Sequence, residues 1–285
     1  MSTIKLASAI DQACKDLTWI YEAVAKVGAS GTLAAESYKF FDGSSDLATQ
    51  LEHAKNMLPV RDVAFAAAKA FPTRTSATAP TKFLFNGVEV TFKQGRYLSV
   101  QNYVTTTWAL YDALAKVAGI LCCVDERSKN PAKPVKLPED FLRGQKYVGG
   151  RVHDHLKGAY GWPVGISYAV RNWVVHDGHS QNGVELFKYD SSTTAPFELS
   201  DGAWDKIQDK CMGEYKADSS QTRLRPFPEI HKDLLEGMAR CHEEADEAMA
   251  FVLLWAPGAT KLQASILFPR DSASLLTPKP PLTHP

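Results

Sequence analysis

Cysteine is sparse in this chain and poorly placed for cross-linking. Cys14, Cys122, Cys123, Cys211 and Cys241 form an odd set, with no C-x-x-C pair and none of the spacings that hold zinc. A disulfide scaffold and a structural zinc domain are both excluded on that ground. The adjacent Cys122-Cys123 lies in the apolar run Gly119 to Val124 and is read as packing rather than as a redox pair. Net charge is also missing: 32 Lys and Arg face 32 Asp and Glu. The field of the whole molecule therefore gives no general attraction for nucleic acid or anionic membrane, and any polyanion site must be local. Long apolar runs are absent too. The most apolar stretch, Ala248 to Ala256, is about half of the ~20 residues a membrane helix needs, so no membrane partner is expected. The opening Met1-Ser2-Thr3-Ile4-Lys5 lacks the apolar core of a secretory signal, which gives a cytoplasmic expectation. No G-x-x-x-x-G-K-[ST], G-x-G-x-x-G, G-x-S-x-G or H-E-x-x-H occurs, so ATPase, dinucleotide oxidoreductase, serine hydrolase and zincin chemistries have no support.

What is present is helical periodicity. With 285 residues and 45% hydrophobic composition the chain can bury its own core. Ser2 or Thr3 caps a first helix whose apolar positions run from Ile4 to Val27, ahead of Gly28. A second starts near Asp46, with Leu47, Leu51, Ala54 and Leu58, is kinked or broken at Pro59, and stops at Pro72. Lys82 to Phe92 is two β-prone runs around Asn86-Gly87, a hairpin signature. Ser99 opens a helix with a wide apolar face from Val100 to Leu121. Pro138 to Leu156 reads as a further helix, and Trp162-Pro163 starts one that ends at Gly178. Val184 to Tyr189 reads as a short strand, Ser200 as the cap of a helix through Tyr215, and Pro228 as the start of a last helix stopped by Pro257-Gly258. The fold expected is mainly α: a helical bundle over 1–268 with insertions near 81–93 and 179–222, the first a small inserted β-hairpin, then a proline-rich tail over 269–285.

The segment richest in chemistry is Arg171-Asn172-Trp173-Val174-Val175-His176, at the end of the helix that reaches Gly178. Arginine is a permanent planar cation suited to phosphate, and histidine exchanges a proton near neutral pH. Together they can run phosphodiester cleavage without a metal. Arg225 and His231 have a comparable spacing, but Pro226 and Pro228 between them exclude a regular helix.

Arg171-Asn172-x-x-x-His176 resembles the motif of the HEPN superfamily (higher eukaryotes and prokaryotes nucleotide-binding domains), whose ribonucleases carry arginine, often a polar residue, then histidine near the end of a bundle helix. The resemblance covers the motif and the helical layout. It implies an endoribonuclease without metal or other cofactor, acting as a toxin, phage-defence or RNA-processing factor. Arg171 would hold the scissile phosphate, His176 would move the proton, Asn172 would orient one or the other, and Asp177 would help. On a straight helix residues five apart are separated by about 140° and about 7.5 Å, so Arg171 and His176 would not share a face. Either the helix loosens at His176-Asp177-Gly178, or a second copy completes the site. The resemblance implies a homodimer with two motifs across one cleft, and that is the expectation here, with a regulatory partner protein also possible in such a system.

Other residues offer different chemistry. Arg127, Lys129, Lys133 and Lys136 lie in an extended, proline-containing connection that could touch RNA phosphates, although a solvated loop explains them as well. His153-Asp154-His155, with His242 and Asp246 four apart on one helix face, could serve a metal-dependent hydrolase. A third class is a HEPN-like module that binds RNA, nucleotide or a partner without chemistry.

Overall fold

A helix that is apolar along one stripe must bury that stripe, and the wide apolar face of the central helix decides what packs around it. The computed structural model describes residues 6–16, 44–71, 82–85, 87–122, 165–178, 180–188, 196–213 and 227–267. These form a mainly helical protein. Its order is α1 (6–16), α2 (Ser44–Lys69), a hairpin of β1 (Lys82–Phe85) and β2 (Val88–Thr91), α3 (Phe92–Cys122), and α4 (Gly165–Asn172) with a π-helical turn (Trp173–Asp177). After these come β3 (Ser180–Gln181), β4 (Val184–Glu185), α5 (Asp201–Gly213), α6 (Phe227–Lys232) and α7 (Leu234–Leu267). The expected helix over 138–156 and the tail over 269–285 lie outside the described residues.

Two apolar clusters share α3. Toward its C-terminal half, Leu110, Leu114 and Val117 pack with Leu6 and Ile10 of α1, Leu47, Leu51 and Leu58 of α2, and Met249 and Val252 of α7. Toward its N-terminal half, Val100 and Val104 meet Ile166, Val170 and Trp173 of α4 with its turn, Trp204 and Ile207 of α5, and Leu234 and Met238 of α7. Burying one such large side chain contributes about 1.5–3 kcal/mol, so the second cluster is a main anchor of α4.

Four expectations are corrected. Of the kink or break expected at Pro59, the break does not occur, since α2 runs through it as one helix; Lys55, whose carbonyl loses its amide, and Pro59 itself are exposed, so water can take the freed group while Leu51, Ala54 and Leu58 stay buried. α3 starts at Phe92, not near Ser99. Thr91 Oγ1 accepts the Gln94 amide at 3.2 Å and Gln94 Oε1 accepts the Thr91 amide at 2.9 Å, a reciprocal capping box. Ser99 lies inside the helix and donates to the Gly95 carbonyl at 2.8 Å. The single last helix expected from Pro228 is split, because the Asp233 carboxylate accepts the amides of Leu235 at 3.0 Å and Glu236 at 3.2 Å and starts α7 afresh. α7 then continues past Pro257-Gly258 to Leu267, since one lost hydrogen bond does not stop a long helix followed by alanine, lysine, leucine and glutamine.

Elsewhere the expected hairpin and helix cap occur, and one expected strand is shortened. The hairpin pairs Lys82 with Thr91 through to Phe85 with Val88, around Gly87 at φ +81°. Ser200 Oγ accepts the Ala203 amide at 3.1 Å at the head of α5. The strand expected from Val184 is reduced to the two residues of β4, followed by a bridge between Phe187 and Leu199. No helix of the described residues is long and apolar enough to cross a membrane.

Candidate active site

α4 is amphipathic, and that decides which residues reach solvent. Ile166, Ser167, Ala169, Val170, Trp173 and Val174 are buried; Arg171 and Asn172 are half-buried, and Val175 and His176 are exposed. Lys206 of α5 lies 5.7 Å from the Trp173 ring centre and donates to the Gln181 carbonyl at 2.9 Å, tying the strand after the motif back to α5.

The two principal motif residues meet within one chain. Over Trp173–Asp177 the helix widens into a π turn, in which amides reach back five residues instead of four, so positions five apart come to lie one above the other. Arg171 Nη1 lies 3.3 Å from His176 Nε2 and 2.9 Å from Asn172 Oδ1. Because a guanidinium can only donate, Nε2 accepts and the ring proton is assigned to Nδ1. The helix does loosen, as one of the two routes required, and no second copy is needed to bring arginine to histidine. Asn172 acts on Arg171, fixing one edge of the guanidinium. Gly178, at φ +67° and ψ −136°, ends the turn in a conformation that side-chain-bearing residues rarely adopt.

The turn has a hydrogen-bond consequence. Shifting amides back by one carbonyl leaves a carbonyl near its end without an amide. Tyr97 of α3 supplies a donor there, its hydroxyl binding the Val174 carbonyl.

Beneath α4 lies a second polar cluster, fully buried. Arg61 of α2 makes a two-pronged ion pair with Asp246 of α7, Nη1 to Oδ1 and Nη2 to Oδ2, both 2.8 Å. Tyr111 donates to Asp246 Oδ1 at 3.0 Å. His242, one turn earlier on α7, has Tyr103 Oη at 2.6 Å from Nδ1 and Ser167 Oγ at 2.6 Å from Nε2. Burial opposes the Arg61 charge, but the hydrogen bonds it donates to Asp246 and the charge of that carboxylate prevail and hold the guanidinium pKa above its ordinary value. Burial, then the Arg61 charge, push the His242 pKa well below the usual histidine value. Burial, then the charge of Asp246, push the Tyr111 phenol well up. The cluster is thus a neutral histidine and a charge-balanced pair with protein partners throughout. It links α2, α3, α4 and α7, and Ser167 connects it to the helix that carries Arg171 one turn later.

This arrangement bears on the metal-hydrolase alternative. His242 and Asp246 do share a face of α7, but both ring nitrogens of one and both carboxylate oxygens of the other are taken by protein groups. Among the described residues no group of three or more His, Cys, Asp or Glu could hold a metal ion. His153, Asp154 and His155 lie outside the described residues, as do Arg127, Lys129, Lys133, Lys136 and the side chain of Asp177.

Arg61, Tyr97, Tyr103, Tyr111 and Ser167 are neighbours of the candidate site whose contacts the sequence did not reveal. Arg61 had a signal: it continues the buried stripe of Leu47, Leu51, Ala54 and Leu58, where a charged side chain requires a partner. No family model, curated protein or solved structure matches this chain.

Proposed function

We propose that this protein is a metal-independent endoribonuclease that cuts RNA through the substrate's own 2′-hydroxyl, with Arg171, Asn172 and His176 as its site residues. The observation that carries this reading is the commitment of the Arg171 donors. Nη1 faces both Asn172 Oδ1 and His176 Nε2, whereas Nε–H and the two N–H of Nη2 have no partner among the described residues. Those remaining donors form the fork that binds two phosphate oxygens at once. No ion pair to Arg171 occurs among the described residues, so an anion does not have to displace a carboxylate.

His176 Nε2 lies 3.3 Å from Nη1 of the same guanidinium, and in this reading the 2′-hydroxyl next to a bound phosphate approaches that nitrogen. The contact of 3.3 Å to Arg171 is long for a hydrogen bond, so the hydroxyl can replace it at small cost. In the reaction His176 takes the 2′-proton, the 2′-oxygen bonds to phosphorus, and Arg171 stabilises the phosphorane charge. The phosphorus–5′-oxygen bond then breaks, the leaving oxygen takes a proton from water and the protonated His176 returns its proton to solvent, giving a 2′,3′-cyclic phosphate and a 5′-hydroxyl. Asp177 is a candidate helper, and Arg127, Lys129, Lys133 and Lys136 are candidates for flanking phosphates. The HEPN resemblance adds a homodimer, in which each copy would bring its own arginine–histidine pair.

One observation favours a second reading. The Nε2 lone pair is occupied in the free chain, which suits a HEPN-like module that binds RNA or nucleotide without cutting it. The purified protein, incubated with mixed RNA in excess EDTA, separates the two. Cleavage of RNA with sparing of DNA and of 2′-O-methyl RNA is the expected result; tight binding with no cleavage selects the binding module. Cleavage lost in EDTA and restored by zinc or manganese overturns the metal-independent mechanism.

A further inference from the structure

We infer that Tyr97 is a positioning residue, its hydroxyl holding the widened turn that brings His176 to Arg171. The kinetic part of this inference rests on the ribonuclease reading above; the structural part does not. A regular α-helix would put the two side chains about 140° apart, and the π turn over Trp173–Asp177 abolishes that separation. A π turn is uncommon because it leaves backbone groups unsatisfied, so it persists where the surroundings compensate. The compensation is visible: Tyr97, on α3, reaches across to the Val174 carbonyl inside the turn.

The rest of the environment leaves the hydroxyl as the specific determinant. Trp173 and Val174 are buried and held by apolar packing, which fixes the near side of the turn but says nothing about its hydrogen-bond register. Gly178 at φ +67° permits the chain to leave the turn but does not impose it. Burial pushes the Tyr97 phenol up, so it stays a protonated donor at any pH at which the protein would work. Without the hydroxyl, the Val174 carbonyl would regain an amide if the turn reverted to α register, and His176 would rotate away from Arg171.

Tyr97→Phe in the full chain tests this, since it deletes one oxygen and keeps the ring. The readouts are the His176 imidazole nitrogen resonances, amide exchange over residues 174–178, and kcat and KM on RNA. The expected result is a displaced His176 Nε2 resonance, amide exchange in the turn faster by about threefold to tenfold, and kcat lower by a similar factor with KM within about twofold, as loss of one hydrogen bond allows. Unaltered His176 resonances and unaltered exchange in Tyr97→Phe overturn the inference whatever the kinetics do. If the wild-type protein cuts no RNA, the catalytic reading falls alone, and the His176 resonances still decide the role of Tyr97.

Discussion

Replacing Asp246 by Asn removes one charge from the buried cluster and almost no volume. The Asp246 side chain is 2% exposed and that of Arg61 is 5% exposed, so neither can turn to water for compensation. Two charge-assisted hydrogen bonds of 2.8 Å would be lost or reduced to one neutral contact, and Tyr111 would lose its charged acceptor. Asp62, 3.6 Å from Arg61 and half exposed, is too solvated to take over. Breaking a buried pair by removing one partner costs about 3–5 kcal/mol, because the other charge is left desolvated. Urea unfolding at neutral pH, followed by tryptophan fluorescence, should show Asp246→Asn destabilised by that amount with an unchanged slope. Arg61→Met combined with Asp246→Leu should be less destabilised than the sum of the single variants, since the double change leaves no orphan charge. A loss below about 1 kcal/mol for Asp246→Asn, or strict additivity in the cycle, would mean that no uncompensated charge is left buried.

Three further outcomes follow from individual contacts. His242 is held neutral when folded but takes a proton near pH 6.5 when unfolded, so the wild type should lose about 1.4 kcal/mol per pH unit as pH falls below about 6.5, and His242→Gln should lack that component; parallel stability curves for the two proteins between pH 7 and 5 would contradict it. A methyl group at Gly237 would meet the Ile230 backbone at 2.7 Å, so Gly237→Ala should cost about 1–3 kcal/mol in the same urea assay, despite alanine's better helix propensity. Thr91→Ala removes one half of the capping box on α3 and should cost about 0.5–2 kcal/mol, with Thr91→Ser close to wild type.

The helices were legible where period and cap agreed. Leu47, Leu51, Ala54 and Leu58 marked α2, Ser200 marked α5, and Asn86-Gly87 marked the hairpin. The start of α3 was misplaced because Lys82 to Phe92 read as strand throughout, which hid the capping pair Thr91 and Gln94, while Ser99 offered a simpler cap. Prolines misled at Pro59 and Pro257 because a proline shows only a local loss, and the energy that overrides it comes from packing with distant segments. The motif pair Arg171 and His176 was legible by residue type. Its geometry was not, because nothing between Trp173 and Asp177 is a helix breaker, and the turn is matched by a hydroxyl on another helix. The buried cluster was equally hidden: Arg61 and Asp246 are 185 residues apart, and each looks like an ordinary member of a helix until the fold brings them together.

The most direct measurement compares wild type, Arg171→Ala and His176→Ala on one RNA in EDTA, with the ends of the products identified. The wild type should leave 2′,3′-cyclic phosphate ends, and His176→Ala should cut at a rate lower by roughly 10²–10⁴-fold, the usual contribution of a positioned proton-transfer group. Arg171→Ala should be reduced by a comparable factor, about 3–4 kcal/mol of transition-state stabilisation, with both variants folded. Folded variants that cut at the wild-type rate, or wild-type products ending in 3′-hydroxyl, would contradict the proposed mechanism.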